Sequence, residues 1–367
     1  MTARGSLTAL GLGALLLAGC APALAPEGVG DTPAHHHALG MKFVESGELA
    51  RASDEFERAR ALDPGYAPAW EGLGLVALGR NDLGAAESAL RTARGRDATY
   101  VPAALGLARV LAAKGDLDGA RREADAALAL APRNARAHLV RGQVALKAFD
   151  FGGAEASFAR ALELDPVLAE ARREWERSVK IRQAAPGTMV ARRIALADPI
   201  RRGELAALLA TELGIEDRLR RRRPEIFDAS FRPPGAAPAG AVVATPSDVT
   251  GHWARNAIEL VLRLSLMETY PDLGFHPDEP VTRAALATTL EQVVAVALND
   301  AGLKTRYLGQ ASAFPDVRSD HFAYNAIVVV TTRGLMEAER PSGAFRLEAP
   351  VAGPDALLAL RKLAEGL

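Results

Sequence analysis

The chain repeats itself every 34 residues between about Pro33 and Pro166, and this period limits what it can fold into more than any other feature. Small residues recur as Ala52, Ala86, Ala120 and Ala154, and again as Ala59, Ala93, Ala127 and Ala161. Between them stand Phe56, Leu90, Ala124 and Phe158, and ahead of them the pairs Leu39-Gly40, Leu73-Gly74, Leu107-Ala108 and Arg141-Gly142. A period of this length is one helix-turn-helix unit of a stacked array. Small residues at fixed positions let two antiparallel helices approach closely, and the larger ones fill the space between them. Each unit leaves one apolar face uncovered, so the units must stack. Gly47, Asn81 and Gly115 hold equivalent turn positions, where a helix end wants a left-handed residue, and prolines such as Pro64, Pro132 and Pro166 stop the second helix. Phe149 breaks the turn rule in the fourth copy, where Asp150 with Gly152-Gly153 is expected to supply a longer turn.

The pattern resembles the tetratricopeptide repeat, four copies of it over residues 33–168, with Trp70 at the family's aromatic position and His36, Ala104 and His138 departing from it. The resemblance implies a superhelix of helical hairpins whose first helices line a concave groove. The family's groove positions map to His37, Met41, Glu71, Leu75, Leu105, Arg109, Leu139, Gln143 and Lys147. The spacing of four within each pair puts both members on one helical face. That face is apolar with isolated charges and lacks the dense Lys/Asn clamp expected for a free carboxyl terminus. A protein or peptide segment docking as a helix or extended strand is its natural ligand.

Ahead of the repeats, Arg4 precedes an apolar run from Leu7 to Leu17 that is too short to span a bilayer as a mature helix. It ends in Leu17-Ala18-Gly19-Cys20, which resembles the bacterial lipobox. The resemblance implies a signal peptide over residues 1–19, removed before Cys20, and a lipidated Cys20. Several acyl chains at about 0.8 kcal/mol per buried methylene make a stable membrane anchor. Ala21 stands where an acidic retention signal would, which favours the outer membrane, facing the periplasm. Residues 20–32 form a tether that reaches roughly 45 Å when extended. The run His35-His36-His37 is no metal site, because adjacent residues on a helix point in different directions and no ligand pattern accompanies them.

Residues 169–185 around Trp175 read as a capping helix with a charged outer face. Beyond them Asp248-Val249 and His252-Trp253-Ala254 open a helix, Gly274-Phe275-His276-Pro277 forms a loop, and Thr282-Arg283-Ala284 starts a second helix. This resembles the S-layer homology motif. One copy spans 248–300, a degenerate copy spans 314–367 from Phe314-Pro315-Asp316-Val317, and a partial copy spans 186–228 around Asp198 to Leu205, with a Pro/Ala/Gly linker at 229–247 between them. The partial copy shows no opening helix of its own, and the capping helix is expected to take that place. The resemblance implies a pseudo-threefold helical domain whose grooves bind cell-wall glycan, with Arg202, Glu204, Thr282 and Arg283 at the binding positions. Thr282 caps its helix, the first-turn amides attract an anion, and an arginine there can hold it bidentately. Arg201 replaces the capping Thr in the first copy, where Asp198 is expected to cap, and Gly353 replaces the arginine in the third. Trp253 is expected in the core, and the run Arg218–Arg223 is expected as a solvated helix end.

The fold class that follows is all-α: a helical-hairpin superhelix, then a pseudo-threefold helical domain. The hydrophobic content of 49% with only 5% aromatic agrees with helices packed on Ala and Leu. A net charge of −1 offers no overall attraction to nucleic acid, and one cysteine excludes a disulfide framework. No phosphate loop, carboxylate pair or metal-ligand spacing recurs, so neither enzyme nor cofactor is expected. The sequence therefore points to a cell-envelope lipoprotein that joins membrane, peptidoglycan or another wall polysaccharide, and a protein partner. The rival readings are a pilotin-like assembly factor whose second domain is only a scaffold, and a cell-wall-acting enzyme.

Overall fold

A computed structural model of the chain describes residues 25–227 and 245–367. The expected signal peptide, Cys20 and most of the expected linker lie outside the described residues. Among those residues all regular structure is helical, and extended pairing is confined to two single bridges, Arg201 with Pro280 and Thr282 with Pro350.

The described residues up to Pro132 form one compact unit. It consists of three helical hairpins: α1 (Pro33–Glu45) with α2 (Leu49–Leu62), α3 (Ala67–Gly79) with α4 (Leu83–Arg96), and α5 (Val101–Lys114) with α6 (Leu117–Leu130). Each turn contains the expected left-handed residue, with φ of 77° at Gly47, 60° at Asn81 and 87° at Gly115. The second and third turns then hand over to an aspartate cap. Asp82 accepts from the Ala85 amide at 2.9 Å and Asp116 from the Gly119 amide at 2.8 Å, each worth about 1 kcal/mol. The alanines of the repeat are fully buried, as is Phe56. A Cβ at Gly40 or Gly72 would lie 2.5 or 2.3 Å from the Phe56 ring, so these two positions exclude any side chain. Burying that ring contributes about 1.5–3 kcal/mol.

The described residues from Arg133 onward form the second unit. The fourth hairpin, α7 (Ala135–Lys147) and α8 (Phe151–Leu164), belongs to it. Its turn is not lengthened as expected: Phe149 itself adopts φ 59°, its ring 6.3 Å from that of Phe151, and Asp150 caps α8 by accepting from Gly153 at 2.9 Å. The aspartate cap and the ring contact hold a non-glycine residue in a conformation it otherwise avoids. There follow α9 (Ala169–Ala184), α10 (Met189–Ile194), α11 (Arg202–Ala207), which runs into a π turn, α12 (Ile215–Arg222), α13 (Arg255–Arg263), α14 (Arg283–Leu298), α15 (Tyr324–Thr332) and α16 (Gly353–Gly366).

Three helix pairs repeat within this unit: α13 packs on α11, α15 on α14, and α9 on α16. Helix α9, which also packs on α8, therefore takes the place of the opening helix of the first motif. Lys180 reaches Asp355 at 2.7 Å and Arg361 donates to the Gln183 carbonyl at 2.8 Å across that contact. One core runs from Phe158 and Ile181 through Leu208 and Leu290 to Leu360.

A closed ring of backbone hydrogen bonds marks the pseudo-threefold axis. The Ile200 amide donates to Val351, Val351 to Val281, and Val281 to Ile200, each at 2.9 Å. The arginine run after Arg218 is not simply a solvated helix end. Arg218 donates to the Ala364 carbonyl at 3.1 Å, Arg223 to the Val296 carbonyl at 2.8 Å, and Arg222 to the Leu367 carbonyl. These groups satisfy the bare carbonyls at the last turns of α16 and α14, where cations are favoured.

Candidate functional site

The two complete motifs of the carboxyl-terminal unit are built alike. Asp248 accepts from the amides of Phe275 and His276 at 3.0 and 2.7 Å, and Asp316 accepts from those of Phe345 and Arg346 at 2.8 and 2.6 Å. The carboxylates pin the loops so that Phe275 and Phe345 are fully buried, while His276 and Arg346 take φ of 53° and 54°. The imidazoles of His252 and His321 accept from the amides of Ala254 and Ala323, fixing the two helix starts.

The arginines of the helix starts brace these loops. Arg202 donates through Nε to the Phe275 carbonyl and through Nη2 to the Glu268 carbonyl, both at 2.9 Å, with its guanidinium over the rings of Tyr270 and Phe275. Arg283 does the same to Phe345 and Glu337, both at 2.6 Å, over the Phe345 ring. Burial lowers both guanidinium pKa values from the usual arginine range. Two donors of each arginine, expected to meet an anion, are thus occupied by carbonyls of the next loop.

Thr282 caps α14, accepting from Ala285 at 3.2 Å. In the first motif the cap position belongs to Arg201 rather than Asp198, and Glu204 reaches back to accept from the Arg201 amide at 2.8 Å. Gly353 replaces the third arginine for a steric reason: a Cβ there would lie 1.9 Å from the Ile194 carbonyl oxygen.

A cleft of 730 Å³ opens beside α14. Arg202 and Thr282 line it, joined by Tyr270, Gln292, Lys304 and Phe322, with Glu268, Glu279, Glu291 and Glu348 also on its walls. Glu204 and Arg283 do not line it. Glu291 is buried, which raises its carboxyl pKa, against the lowering effect of the hydrogen bond from the Asn325 amide. Phe322 is 81% exposed and Trp253, its counterpart in the preceding motif, 61%. The expectation that Trp253 is core is therefore corrected: the residue sits at the turn before α13, and the buried stripe begins at Ala254 and Ile258. Phe322, in the run His321-Phe322-Ala323 that matches His252-Trp253-Ala254, is not among the glycan-binding residues expected from the sequence.

In the first unit, Glu71 is 6% exposed and Leu105 8%, whereas His37, Met41, Leu75 and Arg109 are partly open. In the second, Leu139 is 1% exposed and so packs in the core rather than facing a ligand. Gln143 donates to Glu170 of α9 at 2.8 Å, and Lys147 is exposed. Among the described residues no cluster of His, Cys, Asp or Glu is arranged to hold a metal ion, and no helix is long and apolar enough to cross a membrane.

The S-layer homology domain profile matches residues 247–287, and two tetratricopeptide repeat profiles match residues 37–101 and 77–144. Comparison with curated proteins finds no match. Among solved structures, the chain is similar to TTC0263, a thermophilic TPR protein of Thermus thermophilus, at 22% identity and a TM-score of 0.38, covering 40% of this chain and 81% of that one. It is similar to PilF of Pseudomonas aeruginosa at 19% identity and a TM-score of 0.38, covering 52% and 92%. PilW, a type IV pilus biogenesis factor, shows 18% identity and a TM-score of 0.36, covering 52% and 94%. Tetratricopeptide repeats are protein-interaction modules and S-layer homology domains are cell-wall-binding modules, and no enzyme family was detected. The chain carries tetratricopeptide repeats followed by a carboxyl-terminal S-layer homology domain.

Proposed function

We propose that the protein is a non-enzymatic envelope lipoprotein, anchored to a membrane through Cys20, that holds cell-wall glycan in its carboxyl-terminal domain while its repeats recruit a protein. The observation that carries this reading is the 730 Å³ cleft with Phe322 at its edge. An aromatic ring left 81% exposed in a polar cleft offers a flat apolar face for a sugar ring. Thr282, Gln292, Lys304 and the wall carboxylates offer donors and acceptors for its hydroxyls. Arg202 supports the cleft by holding the loop between Glu268 and Phe275, and two of its donors are spent on that loop's carbonyls.

The test is retention of the soluble chain, residues 21–367, on purified sacculi. Wild type is expected to be retained and Phe322→Ala to be lost, while Leu308→Ala, at an exposed residue outside the cleft, is retained. No retention of wild type would overturn the glycan reading. Lipidation is checked separately by palmitate labelling, which Cys20→Ser must abolish.

A further inference from the structure

The first unit contains a polar cluster of unusual chemistry among its hairpins. Glu71, on α3, has a side chain only 8% exposed, yet its carboxylate accepts no hydrogen bond among the described residues. Facing it, 3.7 Å away, is Nε2 of His37 on α1, a buried nitrogen that also lacks a hydrogen-bond partner. At this separation the two polar atoms do not bond to each other. Leaving the His37 nitrogen unsatisfied in a buried place is costly, and native proteins rarely tolerate it without a reason.

Two phenol rings complete the surroundings. Tyr66 sits at the start of α3 with its ring 6.2 Å from that of His37, edge to face. Tyr100 occupies the equivalent position one repeat later, at the start of α5. Burial and the nearby Glu71 charge raise the Tyr100 phenol pKa, so it stays neutral. Neither hydroxyl makes a hydrogen bond among the described residues. The cluster therefore brings together a carboxylate, an imidazole nitrogen and the aromatic rings of two tyrosines. The ligand that suits such a set is a compact cation with several donors. An ammonium group has three, enough to bridge the carboxylate and the imidazole nitrogen, and its charge is attracted to aromatic faces.

We propose that the cluster of His37, Tyr66, Glu71 and Tyr100 takes an ammonium group, the side chain of a lysine in the segment that the repeats recruit. This rests on the reading of the repeats as a peptide-binding surface. It assigns that surface the opposite charge preference from one built to hold a free carboxyl terminus, for which no Lys/Asn cluster is present.

The probe is n-butylammonium chloride, titrated into the soluble chain, residues 21–367, with tyrosine and histidine rings followed by NMR; n-butanol serves as the uncharged control. The expected result is a saturable shift of the Tyr66, Tyr100 and His37 rings with butylammonium and none with butanol. Glu71→Gln, which keeps the shape and removes the charge, is expected to weaken binding by about tenfold or more, and Tyr100→Leu to weaken it by a similar factor. Absence of saturation in wild type, or equal affinity in a Glu71→Gln chain of unchanged melting temperature, would overturn the proposal.

A second arm uses an immobilised array of lysine-containing decapeptides and their norleucine counterparts. Binding of both sets alike removes the lysine site and leaves the peptide surface standing. Saturation by butylammonium with no peptide retained leaves the site standing and removes the peptide surface.

Discussion

Gly353 tests the packing of the threefold unit most sharply. Its replacement by alanine places a Cβ 1.9 Å from the Ile194 carbonyl oxygen, against a closest real approach of about 3.0 Å, and the obstacle is backbone rather than a flexible side chain. Helix α16 or the end of α10 must move by about 1 Å. The shift strains the Gly353 amide's bond to the Ala197 carbonyl, 2.9 Å long, and the neighbouring ring bond from Ile200 to Val351. Overpacking of this kind costs about 1–3 kcal/mol, and a weakened buried backbone bond adds about 1 kcal/mol. The expected loss is therefore about 2–4 kcal/mol. For a unit of this size each kcal/mol moves the midpoint by about 2–4 °C, so scanning calorimetry should show the second unit melting roughly 5–15 °C lower. Gly366→Ala, in the same helix but with open space around its Cβ, is the control and should leave the midpoint within a few degrees. A Gly353→Ala chain that melts with wild type would refute the claim that steric exclusion, and not loss of ligand contact, removed the arginine from the third motif.

The remaining predictions concern the polar framework. Asp248→Ala and Asp316→Ala each leave two loop amides without their carboxylate, and each should cost about 1–3 kcal/mol in urea titrations; a change below about 0.5 kcal/mol would mean the loops are held by their buried phenylalanines alone. Asn325 joins Glu291 on α14, the Leu303 carbonyl at 2.8 Å and the Tyr307 amide at 2.8 Å. Asn325→Ala should therefore destabilise the unit by about 2–4 kcal/mol, whereas Thr332→Ala, an exposed helical position, should fall within about 0.5 kcal/mol. At the amino-terminal end, Asp31 binds Arg58 and His36, and His36 also meets Glu55. Burial lowers the His36 pKa, but the bonds to Glu55 and Asp31 outweigh it and leave the value raised from 6.5. Asp31 is lowered from 3.8, chiefly by its hydrogen bond from Arg58. The histidine contribution is present below pH 6.5 and lost as pH rises through its folded value, while the aspartate contribution is present above pH 3.8 and lost in acid. Hydrogen exchange of the first turn of α1 should be slowest between these limits, and His36→Gln should remove the alkaline limb only.

Much of this architecture was legible because it depends on local pattern. The 34-residue spacing of Ala52, Ala86, Ala120 and Ala154 can be satisfied only by hairpins that approach at those residues, and Gly47, Asn81 and Gly115 mark the turns by conformational preference. The Asp-Val openings and the loops before Phe275 and Phe345 were likewise local, since each aspartate reaches loop amides less than one motif away.

What the linear pattern did not carry was set by long-range packing. Whether Phe149 takes a left-handed conformation depends on what surrounds it, and whether Trp253 is buried depends on where its helix begins. The donors of Arg202 and Arg283 are spent on carbonyls more than fifty residues away, so their tasks could not be read from the helix starts alone. Helix α9 reads in sequence as the end of the repeats and, by default, as the missing opening helix of the first motif, and its packing partner α16, at the far end of the second unit, is set by the tertiary structure. Sequence by itself determined which helices form, where they turn and which modules they compose, because those choices rest on spacing and backbone preference. Tertiary structure decided which polar groups are left open to a ligand, because that depends on which distant carbonyls, amides and rings have already claimed the rest.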